Sequence, residues 1–176
     1  MTLASKTPLI LKIMRVIAWI AFIGFLIQGF SILGLTIFTV LKDTGAEDFY
    51  DHMDLSILLD YSKFQFIGFN SFLVLGSFLK SIVWLLVIKT LTGFNLSQPF
   101  TMEVIKKLEE MSYFLFSIWV INIIANIQQN YLLHRTGEFF GEKASGEFLF
   151  MAGLVFVISQ IFKRGVEMQT ENELTV

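Results

Sequence analysis

Long apolar stretches alternate with short charged ones along this chain. Val16–Leu41 holds 26 residues without a charge, between Arg15 and Lys42. Phe64–Ile88 is interrupted only by Lys80. Met111–Leu133 gives 23 uncharged residues, and Phe148–Phe162 gives 15 between Glu147 and Lys163. A helix needs about 20 apolar residues to cross ~30 Å of hydrocarbon. The first three runs reach that length. The fourth reaches it if Ser145, Gly146 and Glu147 form its outer turn. A soluble fold would leave segments apolar on every face with too little chain to bury them. The pattern predicts an all-α fold, a four-helix transmembrane bundle forming one membrane domain over 1–176. Its spans are 16–41, 64–88, 111–133 and 145–162, with an outer segment 42–63, an inner loop 89–110 and a tail 163–176.

Composition agrees. Hydrophobic residues make up 55% and charged residues only 16%, against about 25% charged in an ordinary soluble domain. That balance argues against disorder, a nucleic-acid-binding surface and a soluble enzyme core. The absence of cysteine excludes a disulfide framework, a thiolate zinc site and a thiol nucleophile. No GxSxG, P-loop or HExxH motif occurs. His52 and His134 lack the carboxylate spacing of a hydrolase or metal site. No catalytic residue, metal or cofactor is expected, and the chain is not read as an enzyme. The first apolar run far exceeds the ~7–15 residues of a signal-peptide core.

Charge sets an orientation. Lys6, Lys12, Arg15, Lys89, Lys106, Lys107, Lys163 and Arg164 flank the spans on one side, and Lys42, Lys63, Arg135 and Lys143 on the other. The positive-inside rule puts both termini in the cytoplasm, N-in and C-in. Trp19 and Trp84 fall about a turn inside that boundary, and Tyr113 and Tyr131 bracket the third run, as belt aromatics do.

Lys80 is the sharpest oddity. It lies eight residues before Ile88, ~12 Å along a helix, where an insertion penalty of about 2.5–3.5 kcal/mol applies. A long stem can snorkel toward the cytoplasmic headgroups. Asn122, Asn126 and Asn130 repeat at i, i+4, i+8 on one helical face, with Gln129 beside them. With Gln28 they make a candidate intramembrane polar layer around Lys80, either packing glue or a cavity for a small ligand or ion. Gly24, Gln28 and Ser31 form a stripe suited to close helix contact.

The loops carry weaker signals. Glu47, Asp48, Asp51, His52 and Asp54 read as a hydrated acidic run. Leu55–Leu59 and Phe64–Phe66 are expected to pack on the membrane surface. After Pro99, Thr101 can cap a helix with Glu103 in its first turn. Val166–Gln169 can prolong the fourth helix, while Thr170–Val176 is expected to fray.

Phe162-Lys-Arg-Gly165, Glu167 and the closing Glu171, Asn172, Glu173, Leu174, Thr175 and Val176 resemble the C-terminal signature of a bacterial four-span membrane family, domain of unknown function 2975. Pro99–Phe100 after Gly93 resembles its inner-loop motif. The resemblance implies residence in the bacterial cytoplasmic membrane and a small helix-turn-helix transcriptional regulator as partner. That partner would dock on Pro99, Phe100 and Glu171–Val176. Partners on this reading are the lipid bilayer, the regulator and a possible oligomer, without direct nucleic-acid binding. The function expected is a membrane sensor or anchor. The alternative is a small transporter or channel subunit using the layer around Lys80.

Overall fold

The structure is a computed structural model and describes residues 7–46, 49, 54–93, 101–140 and 145–173. It contains α1 (Thr7–Lys42), α2 (Ser56–Tyr61), α3 (Lys63–Gly93), α4 (Met102–Thr136) and α5 (Glu147–Glu173), with no strand among the described residues. The four long helices are each long and apolar enough to cross a membrane, at 34, 31, 35 and 25 residues in their spanning portions. At 1.5 Å per residue all of them outrun a ~30 Å hydrocarbon core. The chain is a multi-pass membrane protein of all-α class, a four-helix bundle.

Helix ends follow local chemistry. Thr101 sits in extended geometry and its side chain accepts the Val104 N–H at 3.3 Å, capping α4 as its sequence predicts. Gly137 ends α4 at φ 78°, a left-handed conformation that glycine adopts without a Cβ penalty. The Gly146 carbonyl accepts the first bond of α5, from Phe150 N–H. Ser145 and Gly146 thus precede the helix instead of forming its outer turn, and α5 gains its length at the other end. There it stays helical through Glu173, so the first four residues of the stretch expected to fray are helical, and Leu174, Thr175 and Val176 lie outside the described residues. Consecutive hydrogen-bonded turns from Phe162 onward, with Arg164 paired to Glu167 at 2.9 Å, carry the helix on.

The bundle is packed in chain order. α1 lies against α3, α3 against α4 and α4 against α5; α1 and α5 do not approach one another through their backbones. Successive long helices are antiparallel. One end of the bundle therefore carries the start of α1 and the end of α5, the terminal end; the opposite, loop end carries α2. Arg15 donates to the Leu91 carbonyl at 2.8 Å at the terminal end, and Lys63 pairs with Asp43 at 2.6 Å at the loop end. Gln128 donates to Gln65 at 3.0 Å, and Lys107 to the Lys89 carbonyl at 3.3 Å, holding α4 along α3.

The α1 face that meets α3 is Ala18, Gly29, Ile32, Thr36 and Thr39, all buried. This corrects the expected contact stripe: Gly24 and Ser31 are exposed, and Gln28 is half-buried. Gly29 lets the helices approach closely: a Cβ there would lie 3.2 Å from the Phe78 ring, which would have to shift by a few tenths of an ångström.

The tightest burial is at the loop end. Ala46, Phe49, Leu55, Leu58, Phe66, Phe69, Leu132 and Phe140 form one cluster with Ile32. Leu55, Leu58 and Phe66 are fully enclosed by protein, so they do not pack on the membrane surface as expected; Phe64, 82% exposed, is free to do so. Leu55 N–H donates to the Ala46 carbonyl at 2.7 Å and folds the segment over the helices. The location has a physical cause. Burial from water stabilises by about 1.5–3 kcal/mol for a large apolar side chain, whereas exchanging lipid for protein contact gives no hydrophobic gain. Glu47, Asp48, Asp51 and His52 of the acidic run lie outside the described residues.

Candidate functional site

Several clefts open between the described helices. The first, about 400 Å3, lies between α1 and α3 with Thr36, Asn70, Val74 and Phe78 in its lining. Asn70 is 0% exposed, and neither its Nδ2 nor its Oδ1 has a hydrogen-bond partner among the described residues. Thr36 and Ser71 beside it spend their hydroxyl protons on the carbonyls of Ile32 and Ile67.

The second cleft, about 330 Å3, is bounded by all four long helices. Phe25 comes from α1, Lys80 and Trp84 from α3, Ile118 from α4, and Phe148 and Met151 from α5. It exists because α5 packs on α4 alone, which leaves a trough between α5 and α3 that side chains only partly bridge. The Lys80 ammonium lies 5.6 Å from the ring centroids of both Phe25 and Phe148. That is within cation–π range.

Lys80 stands near the middle of α3. A helical side chain leans toward its helix N-terminus, and α3 runs from the loop end to the terminal end. Phe148 is in the first turn of α5, which starts beside the middle of α4 and α3. The ammonium lies at mid-depth in the bundle, near the Phe25 and Phe148 rings. Trp84, read as a belt residue, lines the cleft with it.

The remaining candidates are only partly drawn together. On α4, Met111, Leu115 and Ile118 line the cleft, and Asn122 is the next residue along the same helical stripe, one turn beyond. Asn122 and Asn126 are half-buried, as is Gln28 of α1, whereas Asn130 is exposed. Gln129 is buried, with no partner for its Oε1 among the described residues. Among the described residues a bond between two side chains joins α3 to α4 at Gln65–Gln128, which periodicity alone did not single out. Asn70 was missed too, although an amide inside an apolar run was a visible signal.

At the terminal end, α5 and the start of α4 run side by side. Gln160 donates to Glu109 at 3.2 Å, and Lys107 pairs with Glu103 at 2.7 Å. Glu171 is exposed in the last turn, and Asn172 and Glu173 close the helix. Leu174, Thr175, Val176, Pro99 and Phe100 lie outside the described residues.

At the loop end, Asp54 accepts from the Ser56 hydroxyl at 2.6 Å and the Ser56 N–H at 2.9 Å. These two bonds, the hydroxyl first, hold its carboxyl below the ordinary range. Tyr61, beside the Tyr131 hydroxyl, has its phenol pushed up. Among the described residues no three His, Asp or Glu converge as metal ligands. Compared with known protein families, curated proteins and solved structures, the chain matches none.

Proposed function

We propose that this multi-pass membrane protein is a sensor or anchor in the bacterial cytoplasmic membrane. Its terminal end faces the cytoplasm and holds a small helix-turn-helix transcriptional regulator. The observation that carries the reading is the continuation of α5 from Phe162 to Glu173. Those eleven further residues extend ~16 Å past the apolar run. Beside them α4 starts at Met102, so two charged helix ends project together where a soluble partner can reach them. The basic residues flanking these ends favour the cytoplasmic side. The resemblance of Glu171–Val176 and Pro99–Phe100 to domain of unknown function 2975 supplies the class of partner.

The test is co-purification in mild detergent with a tag on the N-terminus, leaving Val176 free. Full-length protein is compared with protein ending at Gln169. The full-length bait should retain a small helix-turn-helix protein that the shortened bait loses. Equal retention by both would remove the tail from the dock, and retention of no such protein by either would overturn the reading.

The alternative, a transporter or channel subunit, draws on Lys80. Among the described residues the cleft walls around that residue are apolar except for Lys80 and the Trp84 indole, which suits an apolar body better than a hydrated ion.

A further inference from the structure

Asn70 stands seven residues into α3 from Lys63, ~10 Å along the helix from the loop end, in the lining of the cleft between α1 and α3. It is 0% exposed, and its amide lacks a partner at both Nδ2 and Oδ1 among the described residues. A donor and an acceptor are thus left unmet side by side, which is costly for a buried group. The cleft, about 400 Å3, has the size of a small-molecule site. Leu33, Ile37, Leu41, Ile67 and Leu75 line it and are exposed, so it opens sideways toward lipid. Among the described residues no charged side chain lines it.

The obvious lipid occupants leave something unmet. An alkyl chain fills the cleft and does nothing for the amide. A phospholipid ester offers acceptors only, so Asn70 Oδ1 stays without a donor. An ionised head would lie unpaired in an apolar wall, where charge is costly. We infer that the cleft binds a single-chain lipid whose uncharged, planar head carries a donor and an acceptor side by side, as a primary amide or a protonated carboxylic acid does. The N–H or O–H of the head donates to Asn70 Oδ1, and its carbonyl accepts from Nδ2. Its chain lies along Val74, Leu75 and Phe78. No part of Asn70 is exposed, so the head reaches the amide as lining side chains give way, and the unmet pair beneath them favours that displacement. The cleft lies in the loop half of the bundle, so the inference stands apart from docking at the terminal end.

The test uses the protein in phosphatidylcholine nanodiscs, a lipid whose headgroup has no hydrogen-bond donor. Asparagine is labelled with 15N, and the Asn70 side-chain resonances are assigned through their own backbone. Dodecanamide should move them saturably. N,N-dimethyldodecanamide, which has lost its N–H donors, should need about a tenfold or higher concentration. Dodecanamide should also raise the thermal unfolding midpoint of the native chain and leave that of Asn70→Leu unmoved. Equal titrations by the two amides, no saturable movement with either, or an equal thermal response in Asn70→Leu would each overturn the inference; the second outcome would leave Asn70 to a buried water. Dodecanoic acid at pH 6 and pH 9 separates the two head groups. A thermal response at pH 6 that fades at pH 9 admits fatty acids to the cleft, and none at either pH confines it to amides. An equal response at pH 9 would overturn the requirement for an uncharged head. If Asn70→Leu does not insert, the comparison of the two amides by NMR decides alone.

Discussion

Lys80 and Phe148 meet across a gap that their helices leave open: the ammonium is 5.6 Å from the ring centroid, although α3 and α5 make no backbone approach. The pair therefore adds a direct side-chain tie between α5 and α3, beside the packing of both helices on α4. A double-mutant cycle with Lys80→Met and Phe148→Leu should show coupling of about 0.5–2 kcal/mol in unfolding free energy. Reversible unfolding in mixed micelles measures it. Additive effects would mean that the ring is a bystander.

Asn70 should be replaceable with profit. It is fully buried, and both polar atoms of its amide lack partners among the described residues. An unsatisfied buried group costs about 1–3 kcal/mol. Asn70→Leu, close in volume and free of that cost, should raise the midpoint of thermal unfolding. Asn70→Asp should lower it sharply, because a charge would be buried in the same place. A loss of stability in Asn70→Leu would show that the amide is hydrogen-bonded in the working protein.

The existence of the helices could be read from the sequence; their contacts could not. Arg15, Lys42, Lys163 and their like mark where the apolar runs end, and Thr101 announces the start of α4 by its capping chemistry. Inside the runs, however, lipid-facing and protein-facing positions are alike apolar, so periodicity loses its meaning. That is why Gly24 and Gly29, five residues apart, could not be sorted, though one is exposed and the other touches Phe78. Leu55 and Leu58 gave the opposite difficulty. They look like surface-seeking residues in a polar loop, and only the arrival of Phe66, Phe69 and Leu132 from two other helices makes them core. The cleft at Lys80 was half legible: the cation stood out, but Phe25 and Phe148 are two of 20 phenylalanines in the chain.

Gly29 and Gly34 make a controlled pair on α1. A Cβ at Gly29 would sit 3.2–3.4 Å from three atoms of the Phe78 ring, while one at Gly34 meets nothing within 4 Å. Gly34→Ala should stabilise the helix by roughly 0.5–1 kcal/mol, since alanine is the better helix former. Gly29→Leu should destabilise by about 1–3 kcal/mol, as overpacking pushes α1 off α3. Thermal unfolding of both variants in one detergent measures the contrast. Similar shifts in both would mean that α1 and α3 do not approach closely at Gly29.

Asp54 gives the loop end a defined acid limb. Its carboxylate accepts both the hydroxyl and the N–H of Ser56 just before α2, and both bonds favour the ionised form. Because the folded pKa is lowered, the stabilising effect is fully present above the unfolded value of about 3.9. It is lost as the pH falls through the folded pKa, so raising the pH from neutral changes nothing. Carboxyl-carbon NMR of labelled aspartate should find Asp54 titrating below 3.8. Ser56→Ala should move the midpoint back up, because the hydroxyl is the largest cause of the shift, with the backbone N–H retaining part of it. A midpoint that Ser56→Ala leaves unmoved would show that the hydroxyl does not bind the carboxylate, and the turn leading into α2 would then rest on the N–H bond alone.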